Sequence, residues 1–143
     1  KTLLDTSLNQ AKKENKNVIK RINLLKITDM YTILHNSRCG KSRDAMKVLE
    51  ESGNDFEVRE YLKETLTKDE LKDILKKLNL KPIDIVRTNE EEWKVNFKGK
   101  ELSDDEVLDA MVDYPKLIQR PIVVDEKGGV VGRPKELVED FIK

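Results

Sequence analysis

The sequence predicts an α/β domain built on a mixed four-stranded sheet, with flanking helices and a helical insertion before a C-terminal hairpin. Strand-like runs early in the chain alternate with amphipathic helical segments, a pattern typical of parallel strands. Two later β-branched runs are separated by a turn with two glycines, which indicates an antiparallel hairpin. The length of 143 residues allows one domain with a real core and is too short for two ordinary ones.

The first half of the domain supplies two strands and two helices. The run YTILH at 31–35 predicts a strand, and residues 40–52 predict a helix that stops at Gly53. FEVREYL at 56–62 alternates apolar and charged residues, as a half-buried strand does. TKDE at 67–70 has the capping-box spacing of a helix start. The side chains expected to face inward from these helices are Ala45, Met46, Val48, Leu49, Leu71, Ile74, Leu75 and Leu78.

The second half begins irregularly, with PIDIVR as a possible helical turn. SDDE at 103–106 is a second capping box, and Pro115 should end the helix that it opens. PIVVDEKGGVVG at 121–132 predicts the hairpin, and RPKELVEDFI at 133–142 a final helix that starts near a proline. The inward residues expected here are Val107, Leu108, Met111, Val112, Leu137, Val138, Phe141 and Ile142. This order of elements is the layout of a thioredoxin-like fold.

Residues 1–29 differ from the domain at 30–143. They carry seven basic and three acidic residues and neither glycine nor proline. Their apolar residues recur at three-four spacing, which predicts an N-terminal extension of one or two amphipathic helices. Such a helix could lie on its own domain, or bind a partner or a second copy. A tag or upstream read-through is a third origin for the segment.

Composition excludes several classes of protein. The 28 basic and 28 acidic residues cancel, so no overall field attracts nucleic acid or an anionic membrane. No apolar run is long enough to span a bilayer, and the N-terminus lacks the apolar core of a secretory signal. The single cysteine cannot form an internal disulfide or the usual cysteine-rich zinc site. We therefore expect a cytoplasmic protein with no nucleic-acid or membrane partner and no metal.

The stretch ILHNSRCGKSRDAM at 33–46 holds the only histidine and the only cysteine of the chain, His35 and Cys39. A thiolate is the reactive form of cysteine, and at an ordinary pKa of about 8.5 only roughly 3% of it is present at neutral pH. Cys39 lies at a predicted helix N-terminus, where backbone N–H groups and the helix dipole favour an anion. His35 could add an imidazolium or a hydrogen bond, and neighbouring cations add positive charge.

The alternative is a cysteine that packs as a small inert hydrophobe. Arg38, Gly40 and Lys41 are unusual neighbours for a core residue, so the local sequence leaves both interpretations open. Cys39 and Ser42 form a C-x-x-S sequence, so no second cysteine can close a local disulfide. A working Cys39 would therefore need a thiol from outside the chain.

Five motifs, in order, carry a resemblance to a known family: HNSRCGKSR, YLKETLTKDEL, DIVRTN, LIQRPIVV and GRPKE. From about Tyr31 to Ile142, the chain closely resembles arsenate reductases of the glutaredoxin-coupled kind. The pairing of HNxxCxxSR with RPIVV and a later RP is the specific part of the match. The resemblance implies that Cys39 attacks arsenate, that glutathione is a co-substrate and that glutaredoxin reduces the resulting mixed disulfide. Nothing in the sequence indicates a tightly bound cofactor, so we expect none.

The resemblance also assigns site residues. It implies that His35 favours the thiolate and that Arg87, Arg120 and Arg133 bind the oxyanion. Planar guanidinium groups suit this task because they donate paired hydrogen bonds and stay charged. Similarity to thioredoxin-like folds implies a cis bond between Arg120 and Pro121. The same motif adds two further candidates for substrate binding, Ser42 and Arg43, of which Arg43 ranks lower because it could equally cap local structure.

Two departures and two rival functions accompany the resemblance. Ser37 stands where many relatives have proline, and residues 1–29 have no counterpart in the compact enzyme. Spx-type transcriptional regulators share the fold and the RPI region but bind RNA polymerase. The missing C-x-x-C and the histidine at position 35 favour the enzyme over these regulators. A thiol oxidoreductase acting on another substrate is the other alternative.

Overall fold

The computed structural model describes residues 30–143. Four strands form one mixed sheet in the order β2-β1-β3-β4. Strand β1 is parallel to β2 and antiparallel to β3, which is in turn antiparallel to β4. The sheet confirms the predicted α/β class and the C-terminal hairpin. The strands span Tyr31–Leu34 (β1), Phe56–Arg59 (β2), Ile122–Val124 (β3) and Gly129–Val131 (β4).

Five α-helices and two short 3₁₀ turns complete the described part of the chain. The helical insertion lies where the sequence predicts it, between the second helix and β3. PIDI forms the first 3₁₀ turn, as the sequence allowed, and Pro115 begins the second. The helices are Gly40–Ser52 (α1), Lys68–Leu78 (α2), Glu91–Asn96 (α3), Asp104–Asp113 (α4) and Glu136–Phe141 (α5); the 3₁₀ turns are Pro82–Ile85 and Pro115–Leu117.

The sheet separates two apolar cores. Because side chains alternate across a strand, Leu34 of β1 packs with α2, α4 and the insertion, while its neighbour Ile33 packs with α1 and α5. Strand β3 divides in the same way, with Ile122 on the first side and Val123 on the second. Full burial of one such side chain contributes about 1.5–3 kcal/mol. Central strands buried on both faces thus fix the ends of β1 and β3 that carry the candidate site.

Both predicted capping boxes are confirmed. The Thr67 hydroxyl accepts the Glu70 N–H at 3.1 Å, and the Glu70 carboxylate accepts the Thr67 N–H at 3.1 Å. Ser103 and Glu106 make the same reciprocal pair at 3.2 and 3.1 Å. Gly53 ends α1 with φ of +75°, a left-handed conformation that glycine adopts without strain.

Strand β2 is shorter than predicted, and its two middle residues are exposed. It ends at Arg59 because the carbonyl of Glu60 accepts the N–H groups of Lys63 and Glu64, which turns the chain. Val58, one of the alternating apolar residues of this predicted half-buried strand, is 44% exposed on the edge of the sheet. The expected alternation therefore fails after Phe56.

The last helix also differs from expectation. It begins at Glu136, two residues after Pro134, and spans six residues. Val138 is its fully buried residue, and it lies against Gly132, where an added Cβ would come within 2.6 Å of a Val138 methyl group. Leu137, predicted to face inward, is 40% exposed because the short helix turns only one side toward the sheet.

The predicted amphipathic extension at 1–29 lies outside the described residues. Within residues 30–143, none of the helices has the length and apolar character needed to cross a bilayer.

Candidate active site

Cys39 is the N-cap residue of α1, at the end of the loop that follows β1. Its backbone is extended, with φ of −95° and ψ of 123°, and its side chain makes no capping hydrogen bond. Its N–H donates to the Asn36 carbonyl at 3.0 Å, and its own carbonyl accepts the Arg43 N–H at 3.0 Å. The loop is thus held by its backbone, and the partly buried thiol is left available for chemistry.

The surroundings of Cys39 favour the thiolate. Burial by itself raises the pKa of the thiol, but the backbone N–H groups of Ser42 and Lys41 and the guanidinium of Arg120 favour the charged form. These contacts outweigh burial, so the pKa of Cys39 lies below its ordinary value. The amides belong to the first turn of α1, which is the anion-favouring end of a helix.

His35 lies at the end of β1 with its side chain buried. Its Nδ1 is 2.7 Å from the hydroxyl oxygen of Ser42, which also accepts the Asn36 N–H at 3.0 Å. A neutral ring protonated on Nε2 can accept the Ser42 hydroxyl proton at Nδ1. The ring therefore stabilises the loop that carries Cys39.

The pKa of His35 favours this neutral form. Burial lowers the pKa and the charge of Arg43 lowers it further, against the opposite effects of Glu60, Glu50 and the Ser42 contact. The balance holds the pKa below its ordinary value, so the ring is uncharged at neutral pH. Of the two roles that the sequence allowed for His35, an imidazolium or a hydrogen bond, the structure favours the hydrogen bond.

Arg120 is the arginine that the structure brings to Cys39. It precedes β3 and is joined to Pro121 by a cis peptide bond, as the resemblance implied. Burial lowers the pKa of its guanidinium, but Cys39 and Tyr61 raise it by a larger amount, so the charge is held firmly. Its Nε is buried without a hydrogen-bond partner.

Arg87 and Arg133 line a neighbouring pocket of about 290 Å³, together with Gln119. Arg133 also contacts Arg120: its Nη1 donates to the carbonyl oxygen of Arg120 at 3.3 Å. Arg87 pairs with Glu90, whose Oε1 lies 3.1 Å from Nη2 and 3.2 Å from Nε. The three predicted arginines thus occupy one region, with Arg120 beside the thiol and the other two in the adjoining pocket.

Ser42 and Arg43 hold the loop in this structure. Ser42 is fully buried against His35 and Asn36, and the Nη1 of Arg43 donates to the carbonyl of Ser37 at 3.0 Å. Arg43 thus contacts local structure, which is one of the roles that the sequence allowed for it. Substrate binding by the two residues stays a prediction.

A cleft of about 600 Å³ runs along the Cys39 loop. Its charged walls hold four permanent cations against two carboxylates, so it carries a local positive charge although the whole chain is neutral. An anion is therefore favoured here by local charge. The lining residues are His35, Asn36, Ser37, Arg38, Glu60, Leu62, Lys63, Glu90, Lys116 and Arg120.

Tyr61 is a site residue that the sequence did not single out. Its side chain is fully buried, and the charges of Arg120, Arg87 and Cys39 act on the pKa of its phenol. The available signal was the break in the alternation of FEVREYL at Tyr61. The strand ends at Arg59, and in the turn that follows the Tyr61 side chain is buried beside the site.

No group of three or more His, Cys, Asp or Glu side chains within residues 30–143 is arranged to hold a metal ion.

Comparison with known proteins places the chain within one family. The model of the ArsC family matches residues 34–141. The arsenate reductase ArsI1 of Synechocystis sp. is 37% identical over 115 residues, which cover 80% of each chain. An uncharacterized protein in the glnII region of Streptomyces viridochromogenes is 41% identical over 112 residues, covering 75% of this chain and 94% of that protein. The solved arsenate reductase from Vibrio cholerae has a TM-score of 0.73 at 38% identity, covering 78% of this chain and 96% of that one.

Proposed function

The chain belongs to the ArsC family, and from that premise we propose that it reduces arsenate to arsenite with electrons from external thiols. The observation that carries the proposal is the Cys39 thiol at the N-terminus of α1, with its pKa lowered in part by the guanidinium of Arg120. That pair combines a nucleophile with an anion-binding cation. Relatives named arsenate reductases supply the substrate class.

The first step is attack of the Cys39 thiolate on arsenic. A sulfur–arsenic bond forms, and one arsenate oxygen leaves as water after protonation. Arsenate is itself an anion at neutral pH, so an approaching thiolate is repelled unless cations neutralise the site. Arg120 beside the thiol lowers this repulsion, and Arg87 and Arg133 in the adjoining pocket can hold the remaining oxygens.

The second step transfers two electrons to arsenic. The thiolate of glutathione attacks the sulfur of Cys39, a disulfide forms, and the electron pair of the sulfur–arsenic bond stays on arsenic. Arsenic is thereby reduced from As(V) to As(III) and leaves as arsenite. The chain has no second cysteine, so a glutaredoxin thiolate attacks the glutathione sulfur of the mixed disulfide and releases Cys39 as thiolate.

A coupled assay tests the proposal. The purified chain is mixed with arsenate, glutathione, glutaredoxin, glutathione reductase and NADPH, and NADPH oxidation is followed by absorbance. We expect arsenate-dependent oxidation that is absent in Cys39→Ser and falls to background when glutaredoxin is omitted. Arsenite is measured directly in the same samples, so that NADPH loss from another thiol reaction is not counted.

Three other outcomes would each contradict part of the proposal. Equal turnover with thioredoxin and thioredoxin reductase in place of the glutathione system would reject the glutathione and glutaredoxin step alone. Thiol-dependent NADPH oxidation without arsenite formation would point to a different substrate for the same cysteine. No turnover, together with capture of RNA polymerase by the wild-type chain, would reject the enzyme in favour of a regulator.

A further inference from the structure

Two buried side-chain nitrogen or oxygen atoms among residues 30–143 have no hydrogen-bond partner, and both belong to the candidate site. They are the hydroxyl of Tyr61 and the Nε of Arg120. A buried polar group without a partner costs stability, and most folded proteins avoid it. The two atoms belong to residues of one site, which suggests that this loss of stability is tolerated because the residues have a function there.

Tyr61 lies beside the cleft that runs along the Cys39 loop. Its chain neighbours Glu60 and Leu62 line the cleft together with Arg120, while the Tyr61 side chain turns inward and is fully buried. Burial raises the pKa of its phenol, the positive charges of Arg120 and Arg87 act in the opposite direction, and the net result is a higher pKa. The phenol is therefore protonated at neutral pH and can both donate and accept a hydrogen bond.

The two unpartnered atoms are chemically matched. The Nε of arginine is a donor, and a phenol oxygen accepts. The two side chains interact, but their geometry in the structure falls short of a hydrogen bond. Hydrogen bonds at reactive sites are often long before substrate binds and shorten in the reacting complex.

We propose that Tyr61 is a positioning residue: its hydroxyl accepts the Nε–H of Arg120 and thereby fixes the plane of the guanidinium, with the two terminal nitrogens directed at the Cys39 thiolate and the bound oxyanion. The oxyanion part rests on the proposed function, whereas the thiolate part does not. Phenylalanine would fill the same apolar space without burying a hydroxyl, so the hydroxyl is the informative atom.

Tyr61→Phe tests the proposal, with Tyr114→Phe as the matched control because Tyr114 is 37% exposed and its ring contacts Phe97. The pH dependence of iodoacetamide alkylation reports the thiolate without any substrate. We expect alkylation at pH 6.5 to fall about threefold in Tyr61→Phe and to be unchanged in Tyr114→Phe. An alkylation profile of Tyr61→Phe that matches the wild type would overturn the thiolate part.

A second background tests whether Tyr61 acts through Arg120. In Arg120→Lys, which has no Nε–H, adding Tyr61→Phe should change alkylation no further. An equal threefold fall in both backgrounds would overturn the assigned route. If Tyr61→Phe folds poorly, fluorotyrosine-labelled wild type and Arg120→Lys are compared by ¹⁹F NMR. We expect the Tyr61 resonance to differ between them and that of Tyr114 to stay, and an unmoved Tyr61 resonance would contradict the pairing.

The oxyanion part has its own measurement. In the coupled assay, Tyr61→Phe should raise the KM for arsenate about tenfold while the Tyr114→Phe control keeps the wild-type value. An unchanged KM in an active Tyr61→Phe enzyme would overturn this part of the inference. Absence of turnover in the wild type would reject the proposed function instead, and the alkylation results would still decide the role of Tyr61 at the thiolate.

Discussion

The Nδ1 of His35 lies 2.7 Å from the hydroxyl oxygen of Ser42, so the histidine is bonded to the first turn of the helix that begins after Cys39. The backbone N–H of that same serine is one of the groups that lower the pKa of the thiol. His35 can therefore favour the thiolate without carrying a charge, by holding Ser42 and its amide in place. The hydrogen bond between His35 and Ser42 thus has the role that the sequence also allowed a charged imidazolium to have.

Removing the His35 ring should loosen the loop and make the thiol less acidic. We expect His35→Ala to raise the pKa of Cys39, seen as slower iodoacetamide alkylation at pH 6.5. The variant should also lose about 1–3 kcal/mol of unfolding free energy, because the buried Ser42 hydroxyl loses a partner. Urea denaturation measures this loss.

His35→Asn is the informative companion to this variant. Its amide oxygen can take the place of Nδ1 opposite the Ser42 hydroxyl, so it should recover most of the alkylation rate and of the stability. An alkylation rate equally slow in both variants would argue that the imidazole itself acts on the thiol.

Burial of a neutral His35 also makes stability depend on pH. Its folded pKa lies below its ordinary value of about 6.5, so below pH 6.5 the unfolded chain binds the proton more readily. The contribution of His35 is complete above pH 6.5, decreases as the pH falls through 6.5, and levels off below the folded pKa. Urea midpoints between pH 5 and 7.5 should therefore fall more steeply on acidification for wild type than for His35→Asn. Parallel curves would contradict a lowered pKa.

Arg120 and Arg43 should affect the thiol differently although both are near it in sequence or space. The guanidinium of Arg120 acts directly on Cys39, whereas that of Arg43 donates to the Ser37 carbonyl. We expect Arg120→Ala to slow alkylation at pH 6.5 about fivefold and Arg43→Ala to slow it less than twofold. Equal effects would show that the two arginines contribute only to the general positive field.

The regular elements of this fold were accessible from sequence because local chemistry marks them. Thr67 with Glu70 and Ser103 with Glu106 start helices by reciprocal hydrogen bonds between residues three apart. The end of β2 was misplaced by three residues because it depends on the turn at Glu60. The break in the alternation at Tyr61 is a local sign of that turn, but it does not fix where the strand ends.

The residues of the candidate site also differ in whether local sequence predicts them. Cys39 at a helix N-terminus follows from local sequence, and the distant arginines entered only through family resemblance. Tyr61 was missed because its relation to Arg120 joins two residues that are far apart in the chain. The exposure of Val58 likewise depends on its place at the sheet edge, which sequence periodicity does not report.

Glu90 offers a test of how the adjoining pocket receives an anion. The carboxylate of Glu90 lies 3.1 Å from the guanidinium of Arg87 and also lines the cleft along the Cys39 loop. A bound oxyanion must therefore compete with this carboxylate for Arg87 or share the arginine with it. Both side chains are about a quarter exposed, with relative exposures of 23% and 25%, so the pair is only partly screened by solvent. Neutralising the carboxylate should therefore leave Arg87 more available to substrate.

We expect Glu90→Gln to lower the KM for arsenate about threefold with little change in kcat, as measured in the coupled assay. The amide keeps the size of the side chain and removes its charge, so the effect isolates competition for Arg87. Glu91→Gln, on the next residue and exposed to solvent, removes the same charge outside this contact and should leave KM unchanged. A raised KM in Glu90→Gln would indicate instead that the carboxylate orients Arg87 for the anion, and equal falls in both variants would indicate a general charge effect.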